Sequence, residues 1–418
     1  MQFGIHTIDD VTVEGKIVLC RVDINQPIDK KTGKLKSISR IKACVPTLKE
    51  LSDKGAKVVI LAHQGSDIEY QNFYTTFPHA GVLSELLGRE VQFVEDVCGP
   101  LAREAINGLK NGDLLMLDNV RFCAEEQTLF EQSLRLSHKE QAQTEVVRKL
   151  APLADLYVCD AFAAAHRDQP TLCGFEQVLP SFMGRLFEKE YVVVSSLMEQ
   201  PARPCVFVLG GAKVSDAFMM METVLSSGTA DQILTGGLVA NIILAAGGLP
   251  IGQGSLNYLQ KTGNDQHLPA AKALFEKYAD KILLPEDLAW VEDGKRYEKG
   301  INELPYDVLT LDIGTDTAKR YAGIIKKAGT VFVNGPMGVF EQPETEIGTS
   351  IVWDALGNTK AFTVIGGGDS ITATTKFGIT GQIGYICTGG GALIRFLTGE
   401  ELPVVKALRY AAQKFPCV

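Results

Sequence analysis

The chain has 418 residues, of which 45% are hydrophobic and 22% are charged, and its formal net charge is −9. This length predicts two or more domains, each large enough to bury its own core, and the composition is typical of a globular protein. Both halves of the chain are acidic, which excludes nucleic acid as the main partner because binding a polyanion needs a basic surface.

The cysteines and the amino terminus indicate the cellular compartment. None of the nine cysteines forms a C-x-x-C pair, and several fall in apolar runs, which favours buried free thiols over zinc ligands or disulfides. The amino terminus lacks the basic and long apolar segments of a signal peptide. The most apolar window, Leu238–Leu249, is too short to span a bilayer. We therefore expect a cytoplasmic protein with no membrane contact.

Short apolar runs alternate with helix-length amphipathic segments from one end of the chain to the other. The first series of predicted strands is Ile17–Val22, Val58–Leu61, Val91–Val94, Leu114–Leu117 and Leu156–Cys159. The second series is Ile233–Leu234, Ile282–Leu284, Val308–Leu311, Val331–Val333, Phe362–Ile365 and Tyr385–Cys387, preceded by Val206–Leu209. Predicted helices include Ile41–Lys54 and Ala270–Tyr278, and Gln127–Leu150 is interpreted as one solvated helix. The βαβα alternation predicts an α/β fold with two doubly wound parallel sheets.

The two series of strands are separated by a segment with helical periodicity. Between Pro180 and Pro201, apolar residues from Phe182 to Met198 recur at steps of mostly three and four. This spacing predicts one connecting helix over 181–200. The predicted domains are therefore 1–180 and 201–402.

In the first half, polar and basic side chains follow the predicted strands. Asp23 and Asn25 follow the first strand, and the run His63-Gln-Gly-Ser66 follows the second. The candidate cations are Arg40, His63, Arg121 and Arg167. Because ligands bind beyond the carboxyl ends of parallel strands, these positions predict a site for an anionic hydroxy acid. The alternative is that each arginine pairs with a nearby carboxylate and that His63 is structural.

In the second half, glycine turns follow the strands instead. The run Gly366-Gly-Gly-Asp-Ser370 predicts a phosphate site, because a glycine turn followed by a helix amino terminus presents unpaired N–H groups. Asp369 and Ser370 are the predicted N-cap residues of a helix from Ile371 to Phe377. Lys213, after Gly210-Gly-Ala, is interpreted as a charge beside the phosphate or as a solvated lysine. Glu341 either binds ribose hydroxyls or caps a helix.

Familiar phosphate-transfer and acyl-transfer signatures are missing from the sequence. It contains no G-x-x-x-x-G-K-[ST] loop, no H-R-D loop with a downstream D-F-G, and no G-x-S-x-G elbow. P-loop and protein-kinase sites are therefore excluded.

Seven segments match one family in order and cover nearly the whole chain. They are Arg21-Val-Asp-Ile-Asn-Gln-Pro27, Asp118-Asn-Val-Arg-Phe122, Asp160-Ala-Phe-Ala-Ala-Ala-His-Arg167, Gly210-Gly-Ala-Lys-Val214, Asn334-Gly-Pro-Met-Gly-Val-Phe-Glu341, Gly366-Gly-Gly-Asp-Ser370 and Thr388-Gly-Gly-Gly-Ala392. The chain resembles the phosphoglycerate kinase family. The segments Ala62-His-Gln-Gly65 and Gly236-Gly-Leu-Val-Ala-Asn241 resemble its archaeal branch.

The resemblance implies two Rossmann-like domains around a central cleft, with residues 403–418 packing back on the first. It implies reversible transfer of the acyl phosphate of 1,3-bisphosphoglycerate to Mg-ADP, which yields 3-phosphoglycerate and ATP, after domain closure at the helix 181–200. The chemistry needs positioning and charge neutralisation rather than a covalent nucleophile. We expect a monomer whose partners are these small molecules, with Mg²⁺ as cofactor.

The resemblance also implies site residues. The phosphoglycerate side comprises Asp23, Asn25, Arg40, His63, Gln64, Gly65, Ser66, Arg121 and Arg167. The nucleotide side comprises Lys213, Asn334, Glu341, Gly367, Gly368, Asp369 and Ser370, with Asp369 near Mg²⁺. Arg40 and Lys213 are the implied catalytic residues, which contact the transferring phosphoryl group.

The chain departs from the family pattern at a few positions. Most members carry a second lysine where this chain has Ala217, and most carry Arg-Pro where it has Ser66-Asp67. The tryptophan that commonly precedes Asn-Gly-Pro is Val333. Two alternatives follow: a kinase for a different small phosphorylated acid, and a non-catalytic nucleotide-binding regulator.

Overall fold

The structure is a computed structural model that describes residues 3–29, 31–65 and 74–416. The chain divides into two compact units: unit 1, Met1–Val192 with Glu401–Val418, and unit 2, Val193–Glu400. The predicted site residue Ser66 lies outside the described residues. Among the helices described, none has the length and apolar character needed to cross a membrane.

Unit 1 is built around a parallel sheet with helices between its strands. Its strands are β1 (Ile17–Arg21), β2 (Lys57–Leu61), β3 (Val91–Val94), β4 (Leu114–Leu117), β5 (Leu156–Cys159) and β6 (Ser181–Met183). Its helices are α1 (Ser39–Asp53), α2 (Phe77–Leu87), α3 (Pro100–Asn107), α4 (Thr128–Leu134), α5 (His138–Gln141), α6 (Glu145–Leu150) and α7 (Pro170–Cys173), followed by α8 (Arg185–Glu199), which crosses the boundary between the units.

The strand order of unit 1 places a site at the centre of the sheet. The order is β3-β4-β2-β1-β5-β6, and every pairing is parallel. The β1 strand pairs with β2 on one side and with β5 on the other, so the chain reverses its direction of winding there. Ligands of open α/β sheets bind beyond the carboxyl ends of the strands at such a switch point.

Unit 2 repeats this architecture. Its strands are β7 (Cys205–Leu209), β8 (Gln232–Thr235), β9 (Ile282–Leu283), β10 (Asp287–Glu292), β11 (Lys295–Gly300), β12 (Asp312–Ile313), β13 (Thr330–Asn334), β14 (Phe362–Gly366) and β15 (Tyr385–Ile386). Its helices are α9 (Val214–Ser226), α10 (Gly237–Ala246), α11 (Gln253–Lys261), α12 (Leu268–Tyr278), α13 (Thr315–Ile325), α14 (Ile347–Gly357), α15 (Gly368–Lys376) and α16 (Gly390–Leu397). The parallel sheet has the order β15-β14-β13-β7-β8-β9, with its switch point between β7 and β13. The two sheets confirm the predicted α/β class.

The last helix, α17 (Pro403–Lys414), belongs to unit 1 although it follows unit 2 in sequence. Its Val404 N–H donates to Ala165 O at 3.3 Å, and Arg409 Nη2 donates to Tyr191 Oη at 3.0 Å. Val404, Val405 and Leu408 bury the apolar face of the helix, which stabilises its position on the unit.

Two predicted elements are wrong, and the connecting helix predicted over 181–200 forms with a later start. The segment Ser181–Met183 is not helical but pairs with β5 as strand β6, and α8 begins only after Gly184. The segment 127–150 forms three helices, because Arg135 adopts a left-handed conformation and Ser137 caps a new helix. The apolar run Val308–Leu311 is irregular, and the nearby strand, β12, pairs antiparallel with β10 in a separate small sheet.

Candidate active site

Strand ends in unit 1 bring the predicted polar residues together. Arg40, in the first turn of α1, donates from Nη1 to Asp23 Oδ2 at 2.9 Å. The amide of Asn25 donates to Gly65 O at 2.9 Å and accepts from Gly65 N–H at 3.2 Å. The segments after β1 and β2 are thereby joined into one rigid surface.

The charges of four guanidinium groups act on His63. Its imidazole is buried, and burial together with the charges of Arg121, Arg21, Arg40 and Arg167 lowers the pKa of His63 well below its usual value. This lowered pKa favours the neutral imidazole over the cation that the sequence predicts. Arg21 Nη2 donates to His63 Nδ1 at 3.0 Å, and Asn25 Nδ2 lies 3.4 Å from Nε2.

Arg121 and Arg167 follow later strands of the same sheet. Arg121 lies in a short turn after β4, where Asn119 caps the turn, and its Nη1 donates to Gly65 O at 3.2 Å. Arg167 Nη1 lies 3.4 Å from Glu131 Oε2. Arg121 bonds to the same Gly65 carbonyl as Asn25, and Arg21 bonds to His63, so contacts between strand ends join these residues, which the sequence order alone did not establish.

Gln64 and the buried Arg21 hold the residues around His63 in place through hydrogen bonds. The side chain of Gln64 is 4% exposed, donates to Gln26 O, and accepts from Gln26 N–H. It also bonds to His79 Nε2 at 2.9 Å, so its amide holds the turn instead of facing a ligand. Arg21 was not among the predicted site residues, although it stands in the same segment as Asp23.

Three glycine turns meet at the switch point of unit 2. Gly210 N–H donates to Asn334 O at 3.0 Å, and Gly211 N–H donates to Pro336 O at 2.8 Å. Gly335 has φ +94°, and a Cβ built on it would lie 2.1 Å from Gly210 O. These glycines therefore allow the loops after β7 and β13 to pack against each other, as well as leaving room for a ligand.

The start of α15 differs from the prediction. Gly367, with φ +86°, is the N-cap, and the helix begins at Gly368, before Asp369 and Ser370. The buried Ser370 hydroxyl accepts from Gly335 N–H at 2.7 Å, which ties the helix start to the β13 turn. Asp369 and Gly368 are exposed, so unpaired N–H groups and one carboxylate face outward.

A shallow cleft lies between these turns, and Lys213 reaches it from the N-cap position of α9. The cleft is also lined by Ala217, Asn334, Gly367 and Asp369. Among its described lining residues Lys213 is the one lysine. The second lysine of the family pattern therefore has no basic replacement there.

A cavity of about 280 Å³ adjoins the cleft, with Gly211, Ala212 and Asp369 common to both. Its walls include the apolar residues Leu238, Leu288, Leu309, Leu311, Pro336, Val339 and Phe340, and Glu341 is at its edge. At one side, Thr310 Oγ1 bonds to Asn241 and Ser255. The sequence carries no local sign of this cavity, because its walls come from segments far apart in the chain. An apolar cavity beside an anion-binding cleft matches a nucleoside and its phosphates.

Unit 1 therefore carries a surface lined by arginines, and unit 2 carries an apolar cavity beside a glycine-rich cleft. The chain matches the model of the family described as PGK: Phosphoglycerate kinase, over residues 8–400. It belongs to the phosphoglycerate kinase family.

Relatives match over the full length. A phosphoglycerate kinase of Methanothermobacter thermautotrophicus is 44% identical over 408 residues, which is 98% of this chain and 97% of the relative. One of Methanococcus maripaludis is 45% identical over 412 residues, which is 98% of this chain and 99% of the relative. These matches confirm the expected archaeal-type branch.

Solved structures show the same fold. The crystal structure of phosphoglycerate kinase from Pyrococcus horikoshii OT3 has a TM-score of 0.87 and 41% identity, and the match covers 98% of this chain and 100% of that one. The enzyme from Coxiella burnetii has a TM-score of 0.82 and 31% identity, over 97% and 98% of the two chains. The protein is therefore a glycolytic kinase that transfers the acyl phosphate of 1,3-bisphosphoglycerate reversibly to ADP, yielding 3-phosphoglycerate and ATP.

Proposed function

We propose that unit 1 binds phosphoglycerate through the basic surface around His63. The observation that supports this assignment is the set of contacts that joins Arg21 to His63, Arg121 to Gly65 and Arg40 to Asp23. The charge of Arg167 also acts on the His63 imidazole. Arginine binds phosphate and carboxylate oxygens through paired N–H groups. In this proposal the His63 imidazole contacts the substrate, and Asp23 and Asn25 bind its hydroxyl group.

The proposed role of Gly65 and Gln64 is to position these groups. Gly65 O accepts from both Asn25 and Arg121, so its carbonyl fixes the spacing between an amide and a guanidinium. The hydrogen bonds of Gln64 hold the same turn. The predicted contact of Ser66 with substrate remains a prediction from the family pattern.

Unit 2 is the proposed nucleotide-binding unit. The nucleoside occupies the 280 Å³ cavity, with Glu341 at its ribose edge. The phosphates lie over Gly367, Gly368 and the amino terminus of α15, where N–H groups favour an anion. Asn334 lines the same cleft, whereas Ser370 acts by holding Gly335 in place.

Magnesium fits the donors of this cleft. Mg²⁺ in kinases is held by one or two carboxylates together with substrate phosphates, and Asp369 provides one exposed carboxylate at the phosphate cleft. The ion, when bound, neutralises charge on the nucleotide phosphates. An acyl phosphate already has a good leaving group, the carboxylate of 3-phosphoglycerate, so the catalytic residues act on charge, with Arg40 and Lys213 bonding to the oxygens of the transferring phosphoryl group in the transition state.

The residue assignments are tested with Arg40→Ala and Lys213→Ala in steady-state assays coupled to glyceraldehyde-3-phosphate dehydrogenase. We expect kcat to fall by about 10²- to 10³-fold, the effect of removing one charge-stabilising donor. ADP binding, measured by calorimetry, is expected to persist in Arg40→Ala. Matched controls are Arg103→Ala and Lys272→Ala, which are exposed in units 1 and 2. Unchanged kcat in both variants would contradict the roles.

We also propose that the enzyme is a cytoplasmic monomer that does not bind nucleic acid. The net charge of −9 disfavours nucleic acid, and the cysteines described are free thiols, as expected in a reducing compartment. Light scattering coupled to gel filtration measures the mass directly, and a dimer mass would contradict this part of the proposal.

A further inference from the structure

Three metal-binding side chains converge in unit 1, outside the residues assigned to substrate. His138 is the first residue of α5 and Cys173 is the last residue of α7. Asp168 lies two residues before the start of α7. Their ligand atoms all lie within 4.8 Å of one another, and His138 Nε2 is 3.2 Å from Asp168 Oδ1. No other trio of His, Cys, Asp or Glu ligands was found within the described parts of the chain.

We propose that His138, Asp168 and Cys173 form a binding site for one Zn²⁺ ion. Imidazole nitrogen, carboxylate oxygen and cysteine sulfur are the ligands that zinc takes in proteins, in tetrahedral geometry. Zinc–ligand bonds of about 2.0–2.3 Å place tetrahedral ligand atoms roughly 3.3–3.8 Å apart. The three ligand atoms must therefore move slightly closer together when the ion binds. Magnesium and calcium take oxygen ligands, and a site with sulfur and nitrogen disfavours both.

The surroundings hold the ligands and leave a path for the ion. Gln141 Nε2 donates to Asp168 Oδ1 at 2.5 Å, and such outer contacts orient metal ligands. Ser137 caps α5 and thereby holds the turn that carries His138. The side chain of Asp168 is 44% exposed and that of His138 is 16% exposed, whereas Cys173 is buried. Two of the three ligands can therefore be reached from solvent, which allows an ion to enter.

Zinc binding at this site displaces the proton of the Cys173 thiol. The Cys173 thiol now donates to Arg167 O at 3.7 Å. Zinc binds the thiolate, so the thiol proton passes to solvent and neither partner is oxidised or reduced. The His138 imidazole binds in its neutral form through Nε2. The ion would cross-link α5 and α7 and stabilise unit 1 against unfolding.

Cobalt substitution tests the proposal without relying on activity. The full-length enzyme is freed of metal, titrated with Co²⁺, and followed by absorption spectroscopy. We expect one equivalent to give tetrahedral cobalt bands and a thiolate-to-cobalt charge-transfer band, which added Zn²⁺ removes. Cys173→Ser is expected to lose the charge-transfer band, and His138→Ala to lose stoichiometric binding.

Control variants separate this site from general thiol and imidazole binding. Cys123→Ser and His267→Ala remove a partly exposed cysteine and a histidine elsewhere, and both are expected to keep the wild-type spectrum. Circular dichroism shows whether each variant is folded, and His138→Ala changes a side chain near the surface. Absence of a charge-transfer band in the wild type, or its persistence in Cys173→Ser, would overturn the proposal and leave His138 and Asp168 as an ordinary ion pair.

Discussion

Two adjacent glycines at the start of α15 allow stability and nucleotide binding to be tested separately. Gly367 has φ +86° and ψ +138°, and a Cβ on it would lie 2.6 Å from Asn334 Oδ1. Gly368 is the first helical residue, and a Cβ there meets no protein atom within 4 Å. The same methyl group is therefore strained at one position and unobstructed by protein at the next.

We expect Gly367→Ala to destabilise the protein. A non-glycine residue in this backbone region costs about 1–3 kcal/mol, and the contact with Asn334 adds to that cost. About 2 kcal/mol lowers Tm by roughly 4–8 °C in a domain of this size class. Gly368→Ala is expected to keep or raise Tm, because alanine in a helix is favoured over glycine by about 0.5–1 kcal/mol.

The effects on nucleotide binding are expected to differ. The methyl group of Gly368→Ala projects over the helix amino terminus, where the phosphates of ADP are proposed to bind. Losing one charged hydrogen bond costs about 1.5–3 kcal/mol, so KM for ADP should rise about tenfold or more. KM for 3-phosphoglycerate should remain unchanged, because that substrate is assigned to unit 1.

Calorimetry measures Tm, and steady-state assays with each substrate varied in turn measure the two KM values. An unchanged KM for ADP in Gly368→Ala would refute the placement of phosphates at this helix start. A Tm of Gly367→Ala equal to that of the wild type would refute the argument from backbone strain.

Two further predictions concern buried charges. Arg296→Met is expected to lower the free energy of unfolding by about 3–5 kcal/mol in denaturant titrations, because buried Asp312 loses the guanidinium 2.9 Å away. The control Lys277→Met removes one partner of an exposed ion pair and should cost under about 1 kcal/mol. Equal losses of unfolding free energy in the two variants would contradict this prediction. Burial raises the pKa of Glu126 to about 7. Between about pH 4.5 and 7 the folded state therefore keeps a proton on Glu126 that the unfolded state has released. The free energy of unfolding falls as the pH rises through that window. Glu126→Gln should remove on the order of 3 kcal/mol of this decline, and an unchanged pH profile of the unfolding free energy would contradict it.

Strand ends were predictable because their signals are local. The runs before Asp23, His63 and Lys213 are apolar and short, and polar or glycine residues interrupt them at once. In a parallel α/β fold this pattern alone brings the strand ends to one edge of the sheet. The α/β class and most strands therefore followed from the sequence.

Other elements were predicted wrongly because contacts between distant segments override the local sequence pattern. Val308–Leu311 has the composition of a strand, but Thr310 N–H donates to Ser255 Oγ at 2.9 Å, and its neighbours line the nucleotide-sized cavity. The hairpin of β10 and β11 did carry a signal, Asp293-Gly294, a pair with positive φ at both residues that favours a tight hairpin turn.

By itself, the sequence determined the two parallel sheets, the family, and which residues stand at the strand ends, because each depends on residues close together in the chain. Only the tertiary structure decided the charge of His63, the internal bonds of Gln64 and Ser370, and the convergence of His138 with Cys173. Each of these depends on burial or on partners distant in sequence. Desolvation and long-range hydrogen bonds leave no periodic trace in the chain, since they arise only when separate segments pack together.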